Sequence, residues 1–344
     1  EPRVVALADP FLQGLSFSIL PILIFTSLRN VVSALNRAKA VLWVTVAAVA
    51  LNTFLAYALI LGRFGFPSLG VFGAGLAISI SSWAMLFGLI ALILRDGFFS
   101  RYRLFREWPR PDWRFCGDVT RLGLPVAGII ILEAGLFAAV ALLMGRFGAE
   151  ALATNNIVFT WAATAFVVVL GLSEAVMVRV ARWAGANDII SARRAGLIGL
   201  GLTVGIMSLL AMIPIFLSEE LVSLFLDKDD PALETIQGLA ASLFLIAAFF
   251  GVFDGLQAVA SRALRGLRDT VIPMIIAAIG YWGVGIGGGV VLAFHLGFGP
   301  RGLWLGLAGG LIVTGAILTW RFLLKTRIIT AANTKRAAVT AEDS

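Results

Sequence analysis

Cysteine and histidine occur once each, as Cys116 and His295. A lone thiol excludes a disulfide framework and a thiolate metal cluster. A lone imidazole beside it leaves no ligand set for a zinc protease and no Cys–His pair for nucleophilic chemistry. Charge is scarce as well, at 14% of residues, where a soluble domain carries about 25%. No DDxxD motif is present to hold the magnesium of a prenyl or glycosyl transferase. The apolar runs do not alternate with period 2 and are too long for barrel strands of about 10 residues.

What is there is hydrocarbon. The chain is 60% hydrophobic, with a mean hydropathy of +0.96. A bilayer core about 30 Å thick is crossed by about 20 apolar residues in a helix. Runs of that kind fall at 10–34, 40–62, 71–94, 122–145, 154–178, 195–217, 235–260, 271–296 and 302–324. Backbone groups in lipid must be satisfied internally, so the spans are helices. The expected fold is an all-α polytopic membrane protein with nine spans. The net charge of +7 reflects orientation, not nucleic-acid binding. With the C-terminus placed inside, only Arg3, Arg63, Arg146, Lys228 and Arg301 of the 27 Lys and Arg lie at outer span ends, as the positive-inside rule requires. The outer loop after the sixth span is acidic, with Glu219, Glu220, Asp227, Asp229 and Asp230. Cys116 is placed in an inner loop, and His295 at the outer end of the eighth span with a structural role.

The organisation expected is a partial lobe of three spans (1–94), an inner inter-lobe loop (95–121), a lobe of six spans (122–325) and a cytoplasmic tail (326–344). The Arg- and aromatic-rich loop suits an amphipathic segment on the inner leaflet. Internal similarity links the first three spans to the last three. EP at 1–2 and SALNRAK at 33–39 match DP at 230–231 and RALRGLR at 262–268, and PSLGVFGAGLA (67–77) matches PRGLWLGLAGG (300–310). Such repeats are common in secondary transporters. The chain starts without Met in a polar stretch, so three further spans are expected to precede it, and this piece alone is expected to be inactive. Pro21, in mid-span, is expected to kink the first helix.

Two acids stand out because lipid makes them costly. Glu133 is the one ionisable residue of GIIILEAGLFAAVALLMG (128–145), and Asp254 lies deep in FLIAAFFGVFDGLQAVASRALRG (244–266). A carboxylate at mid-span costs about 2.5–3.5 kcal/mol on insertion scales, and such residues mark ion or proton pathways. The pair could share a proton or hold a small cation. Gln257, near Asp254, could extend a polar lining. Glu174, close to Arg179, is read as paired with an arginine at the inner interface. Asn52, Asn155 and Asn156 are explained equally by helix–helix hydrogen bonds and by substrate contacts. The cluster GYWGVGIGGGV (280–290) follows no strand and is not a phosphate loop. Its small residues at i and i+4 (Gly283 and Gly287, Gly285 and Gly289) suit close helix packing or bending.

The motifs RALRGLRDTVIPM (262–274) and GLSEAVMVRVARWAGAND (171–188), the pairing of LGLPVAGIIILEAG with FDGLQAVASRALRG, and LNTFLAYALILGRFGFPSLGVFGAGLA (51–77) resemble the multidrug and toxic compound extrusion (MATE) family, in its NorM-like branch, over residues 1–325. The resemblance implies twelve spans in two six-helix lobes, of which this chain starts just before the fourth. It also implies export of amphipathic, often cationic compounds in exchange for sodium ions or protons, with Glu133 and Asp254 matching cation-site carboxylates. The branch often has a tyrosine where this chain has Phe250, which weakens sodium relative to protons. Asn52 matches a polar position of the first-lobe proton site.

The resulting expectation is a monomeric antiporter of the bacterial inner (plasma) membrane, C-terminus cytoplasmic, working by alternating access without a cofactor. Proton or sodium would be the coupling ion. Its partners would be the lipid bilayer and an amphipathic or cationic small molecule, not nucleic acid. A lipid-linked oligosaccharide flippase of the same wider superfamily is the alternative, and an intramembrane transferase a more distant one.

Overall fold

The computed structural model describes residues 2–35, 37–101, 112–226 and 232–342. Among these residues the regular structure is helical throughout. Contacts divide the chain into two units, Glu1–Pro111 and Asp112–Ser344. The division falls inside the loop expected at 95–121. The most basic part of that loop, 102–111, and the acidic Asp227, Asp229 and Asp230 lie outside the described residues.

The first unit holds α1 (Pro2–Ser16), α2 (Ile19–Ala34), α3 (Ala38–Leu61), α4 (Gly70–Arg95) and the short α5 (Gly97–Ser100). The helix α4 packs against α1, α2 and α3. The first span is not one helix kinked at Pro21. It breaks at Phe17–Ser18, and its halves, Ala8–Ser16 and Ile19–Ala34, are bent by 48°. Pro21 sits in the first turn of α2, where a missing N–H and a fixed φ are tolerated. The strain moves one turn upstream. Ser18 N–H bonds Leu15 O and passes over the Gly14 carbonyl, while Phe17 O faces a proline that has no N–H to give. Two side chains of α4 supply the missing donors: Ser79 Oγ to Gly14 O at 2.6 Å and Trp83 Nε1 to Phe17 O at 3.1 Å. By the internal repeat, the matching helix of the second unit is α10, which has no proline and runs unbroken.

The second unit contains α6 (Trp113–Met144), α7 (Ala149–Gly185), α8 (Ile189–Phe216), the short α9 (Ser218–Ser223), α10 (Leu233–Gly266) and α11 (Val271–Ala278). A π-helical stretch, Ile279–Gly287, leads through one turn of α-helix (α12, Gly288–Val290) to a second π-helical stretch, Val291–His295, and then to α13 (Pro300–Glu342). The loop expected to run to residue 121 is shorter than that, because Asp112 caps α6 with bonds from the Arg114 and Phe115 N–H groups, and Cys116 is an exposed residue of the first turns of α6. The tail expected at 326–344 is likewise helical to Glu342 as a continuation of α13. The central helix is α10, flanked by α7, α8 and α13. Its neighbours enclose two apolar cores, one around Phe244, Tyr281 and Trp304 and one around Val169, Val259 and Phe322.

Eight helices among the described residues are long and apolar enough to cross a membrane, and the bent first pair makes a ninth. Large apolar side chains such as Trp43, Ile131, Leu142 and Trp320 stand exposed along them, which is a surface for acyl chains and not for water.

The glycine-rich span packs closely, through one of the two expected pairs, Gly285 and Gly289, and not through the other. Gly283 and Gly287 meet only their own helix. A π-helix bonds i to i+5, so Gly280 and Gly285 share one face, and Gly289 follows. That face lies on Gly302, Gly306 and Gly310 of α13. A Cβ on Gly310 would lie 2.6 Å from Gly280 O and 2.8 Å from Gly285 Cα, and one on Gly306 would enter the backbone of Gly289. Gly309, one residue along, faces open space.

Two consequences can be measured by thermal unfolding in detergent. Gly310→Ala should destabilise by about 1–3 kcal/mol through overpacking, whereas Gly309→Ala should be neutral or slightly stabilising. Ser79→Ala should cost about 1–3 kcal/mol, because the buried Gly14 carbonyl loses its donor.

Candidate functional site

The polar groups of the second unit gather around α10. Phe250, Asp254 and Gln257 follow one another at helical spacing on a buried face, at 2%, 5% and 2% exposure. Glu133, half-buried on α6, lines a pocket of about 60 Å³ together with Gln257, Ser261, Arg262, Arg265 and Asp269. That volume holds a few waters at most. The helix α6 is brought there by the π-helical stretch, since Trp282 Nε1 donates to Leu132 O at 3.3 Å and the Trp282 ring lies over Gly135. Asp254 lines a separate, smaller cavity with Trp161, Met207 and Phe250, and Gln257, less than a turn along α10, lines the pocket of Glu133.

Arg262 does not serve the two acids alone. Its Nε donates to Glu174 on α7 at 3.1 Å. Glu174 is thus ion-paired, with an arginine far away in sequence and not with the nearby Arg179. Asp269, 7% exposed, is held by Arg321 at 2.8 Å and Lys325 at 3.0 Å. These two clusters tie α7 to α10, and the turn after α10 to α13, at the polar end of the pocket.

A second cavity, about 250 Å³, is lined by Phe137, Asn155, Asn156, Phe159 and Trp304. Asn155 is buried and accepts a bond from Trp304 Nε1 at 3.1 Å. Asn156 is exposed, with its neighbour's burial reversed by one step around the helix. Phe250 separates this cavity from Asp254, with its ring edge-on to Phe137 and Trp304. Asn52 is half-buried on α3 in the first unit, and His295 is exposed at the end of the second π-helical stretch.

Tyr281 is a buried residue that no motif in the sequence marks. Its side chain is fully buried, and its hydroxyl has no hydrogen-bond partner. The signal was present: one of only three tyrosines in the chain lies in mid-span among glycines. The glycines drew attention and the hydroxyl did not. Arg262 and Asp269 were read as topology signals and loop residues, and their pairing required the fold.

The sequence pattern of the MatE family matches residues 125–291, which include Glu133, Asp254 and Tyr281. The chain is 43% identical over 328 residues to the probable multidrug resistance protein NorM of Mesorhizobium japonicum, a match that covers 95% of this chain and 70% of that protein. The chain belongs to the MATE family. This MATE protein is also 44% identical over 305 residues to the multidrug resistance protein NorM of Burkholderia vietnamiensis, covering 89% of the chain and 65% of the relative. Its fold is that of a MATE transporter solved in the bent conformation, with a TM-score of 0.83 at 16% identity over 97% of this chain and 72% of that one. Family membership makes it a multi-pass membrane protein of a transporter family, and it sets aside the reading as an intramembrane transferase.

Replacing Asp269 by Ala leaves Arg321 and Lys325 of this MATE protein without their shared acceptor. A loss of about 2–3 kcal/mol is expected, readable as a lower unfolding temperature in detergent, and the loss should shrink in Asp269→Asn, which keeps an acceptor oxygen.

Proposed function

We propose that the protein is a multidrug efflux antiporter that exports amphipathic, often cationic compounds by alternating access, driven by a proton or sodium ion bound at Glu133 and Asp254. The observation that carries this reading is the pair of carboxyls inside one membrane-spanning unit: Glu133 on α6 shares a pocket with Gln257 of α10, and Asp254 is buried less than a turn from Gln257 on the same helix. Two carboxylates in a medium of low dielectric repel unless a cation or a proton lies between them. Arg262, already bonded to Glu174, is a shared counter-charge and not a dedicated one. Binding of the coupling ion would relieve the repulsion, and a cationic substrate would compete for the same charge. Such competition shifts a conformational equilibrium only if each ligand binds the two states differently.

The names of the relatives, multidrug resistance proteins of the NorM type, support the substrate class. So does the cavity of Phe137, Phe159 and Trp304, whose ring faces and amide suit an amphipathic cation. The rival reading, a flippase holding a lipid pyrophosphate, needs arginines free for phosphate. Here Arg262 and Arg321 are bonded to Glu174 and Asp269. The bacterial relatives support an inner-membrane location, and the lysine and arginine bias supports a cytoplasmic C-terminus.

The test is substrate efflux from proteoliposomes holding the full-length protein, under an imposed proton or sodium gradient. Glu133→Gln and Asp254→Asn are each expected to lower gradient-driven efflux at least tenfold at unchanged protein level. Wild-type rates in both variants would overturn the proposal.

A further inference from the structure

The two ion-pair clusters at the polar end of the second unit are built differently. Asp269 is 7% exposed and is gripped by two cations of α13, Arg321 and Lys325. Glu174 is held by one arginine, Arg262, whose Nε donates at 3.1 Å. The side chains of that pair are 38% and 25% exposed. An ion pair so open to its surroundings contributes little by itself and is easily exchanged. Among the described residues it is nevertheless the one side-chain bond between α7 and α10. One turn further on, at Gly266, the two helices touch backbone to backbone, since a Cβ there would lie 2.9 Å from Met177 O.

The same arginine lines the pocket of Glu133. Arg262 thus stands between two carboxyls carried by different helices, Glu174 on α7 and Glu133 on α6. It is bonded to the first, and among the described residues no ion pair joins it to the second. A guanidinium has five N–H groups on a long, flexible stem, so a change of partner needs rotation of the side chain and no movement of α10. The pocket of about 60 Å³ leaves room for the end of that side chain or for an ion with its water, not for both. The other charged groups nearby are not rivals. Asp269 has its own two cations, Arg265 is exposed at the rim, and Asp254 lines a different cavity.

We propose that Arg262 is an exchangeable counter-charge: it stays on Glu174 while Glu133 carries a cation or a proton, and it turns to Glu133 when that carboxylate is bare. Emptying Glu133 then undoes the bond between α7 and α10, and filling it restores the bond. The proposal rests on the cation-coupled reading above and adds the link from occupancy of Glu133 to a second helix. A bare carboxylate in a medium of low dielectric attracts the guanidinium strongly, and a neutralised one does not. By linkage, whatever holds Arg262 on Glu174 strengthens ion binding at Glu133, and whatever releases it weakens that binding.

The experiment uses the full-length protein with Glu174→Gln, Arg262→Gln and, as control, Arg37→Gln, which removes the partner of Asp96 in the first unit. The first readout is the proton or sodium concentration, whichever ion drives the wild type, at half-maximal gradient-driven efflux from proteoliposomes. Glu174→Gln leaves Arg262 to Glu133 and is expected to raise that concentration about tenfold. Arg262→Gln removes the competitor and is expected to lower it by a similar factor. Arg37→Gln should not move it. The two halves of a merely structural tie would act alike, so shifts of the same sign in the two variants, or no shift, overturn the proposal. The second readout is the unfolding temperature in detergent, at high pH without sodium so that Glu133 is bare. Glu174→Gln should cost more in a Glu133→Gln background, where the arginine has no second carboxylate, than in the wild type. The two losses should differ by at least about 2 °C. Equal losses indicate independent sites and overturn the proposal too. This readout carries the test if Arg262→Gln does not fold. If Glu133→Gln keeps full gradient-driven efflux, the coupling reading has failed, whereas unequal losses still place Arg262 between the two acids.

Discussion

A bilayer offers no water to polar atoms, so each one inside it has to find a partner within the protein. This constraint orders the whole molecule. At the bend of the first span a proline withholds one donor and a turn skips a second carbonyl. Both carbonyls are met from a neighbouring helix, by Ser79 and Trp83. At the polar end of the second unit the same demand is met by ion pairing, with Glu174 on Arg262 and Asp269 on Arg321 and Lys325. The bend and the pairs are two answers to one problem, and each uses a partner distant in sequence.

Against that background the exceptions stand out. Asp254, Gln257 and Tyr281 are buried as completely as the core around them, and their oxygens are left open. Glu133 adds a carboxyl on a different helix, in a pocket large enough for little more than an ion and its water. Aromatic rings on the far side of Phe250 line a larger cavity, so charge and apolar surface are held in adjoining compartments of one unit.

The π-helical stretch connects packing to chemistry. Its five-residue repeat lines Gly280 up with Gly285 against the glycines of α13, and this close approach fixes the side chains between them. Tyr281 is buried in the apolar core beside them. An ordinary α-helix over these residues would bring different glycines to α13. Wider helical turns of this sort often occur at functional sites, and here the reason is geometric.

Composition and run length were enough to specify helices and their number, because the energy of moving a segment into hydrocarbon is local and additive along the chain. The cost of placing Glu133 and Asp254 in mid-span was equally legible, since a carboxylate there is expensive wherever its partners lie. Partnership was not legible. Nothing in the sequence joins Glu174 to Arg262, or Asp269 to Arg321, for those distances depend on how helices far apart in sequence cross. The break at Phe17–Ser18, upstream of the proline that causes it, and the π register of the glycine-rich span were also decided by neighbouring helices: α4 supplied the donors that make one affordable, and α13 the face that selects the other.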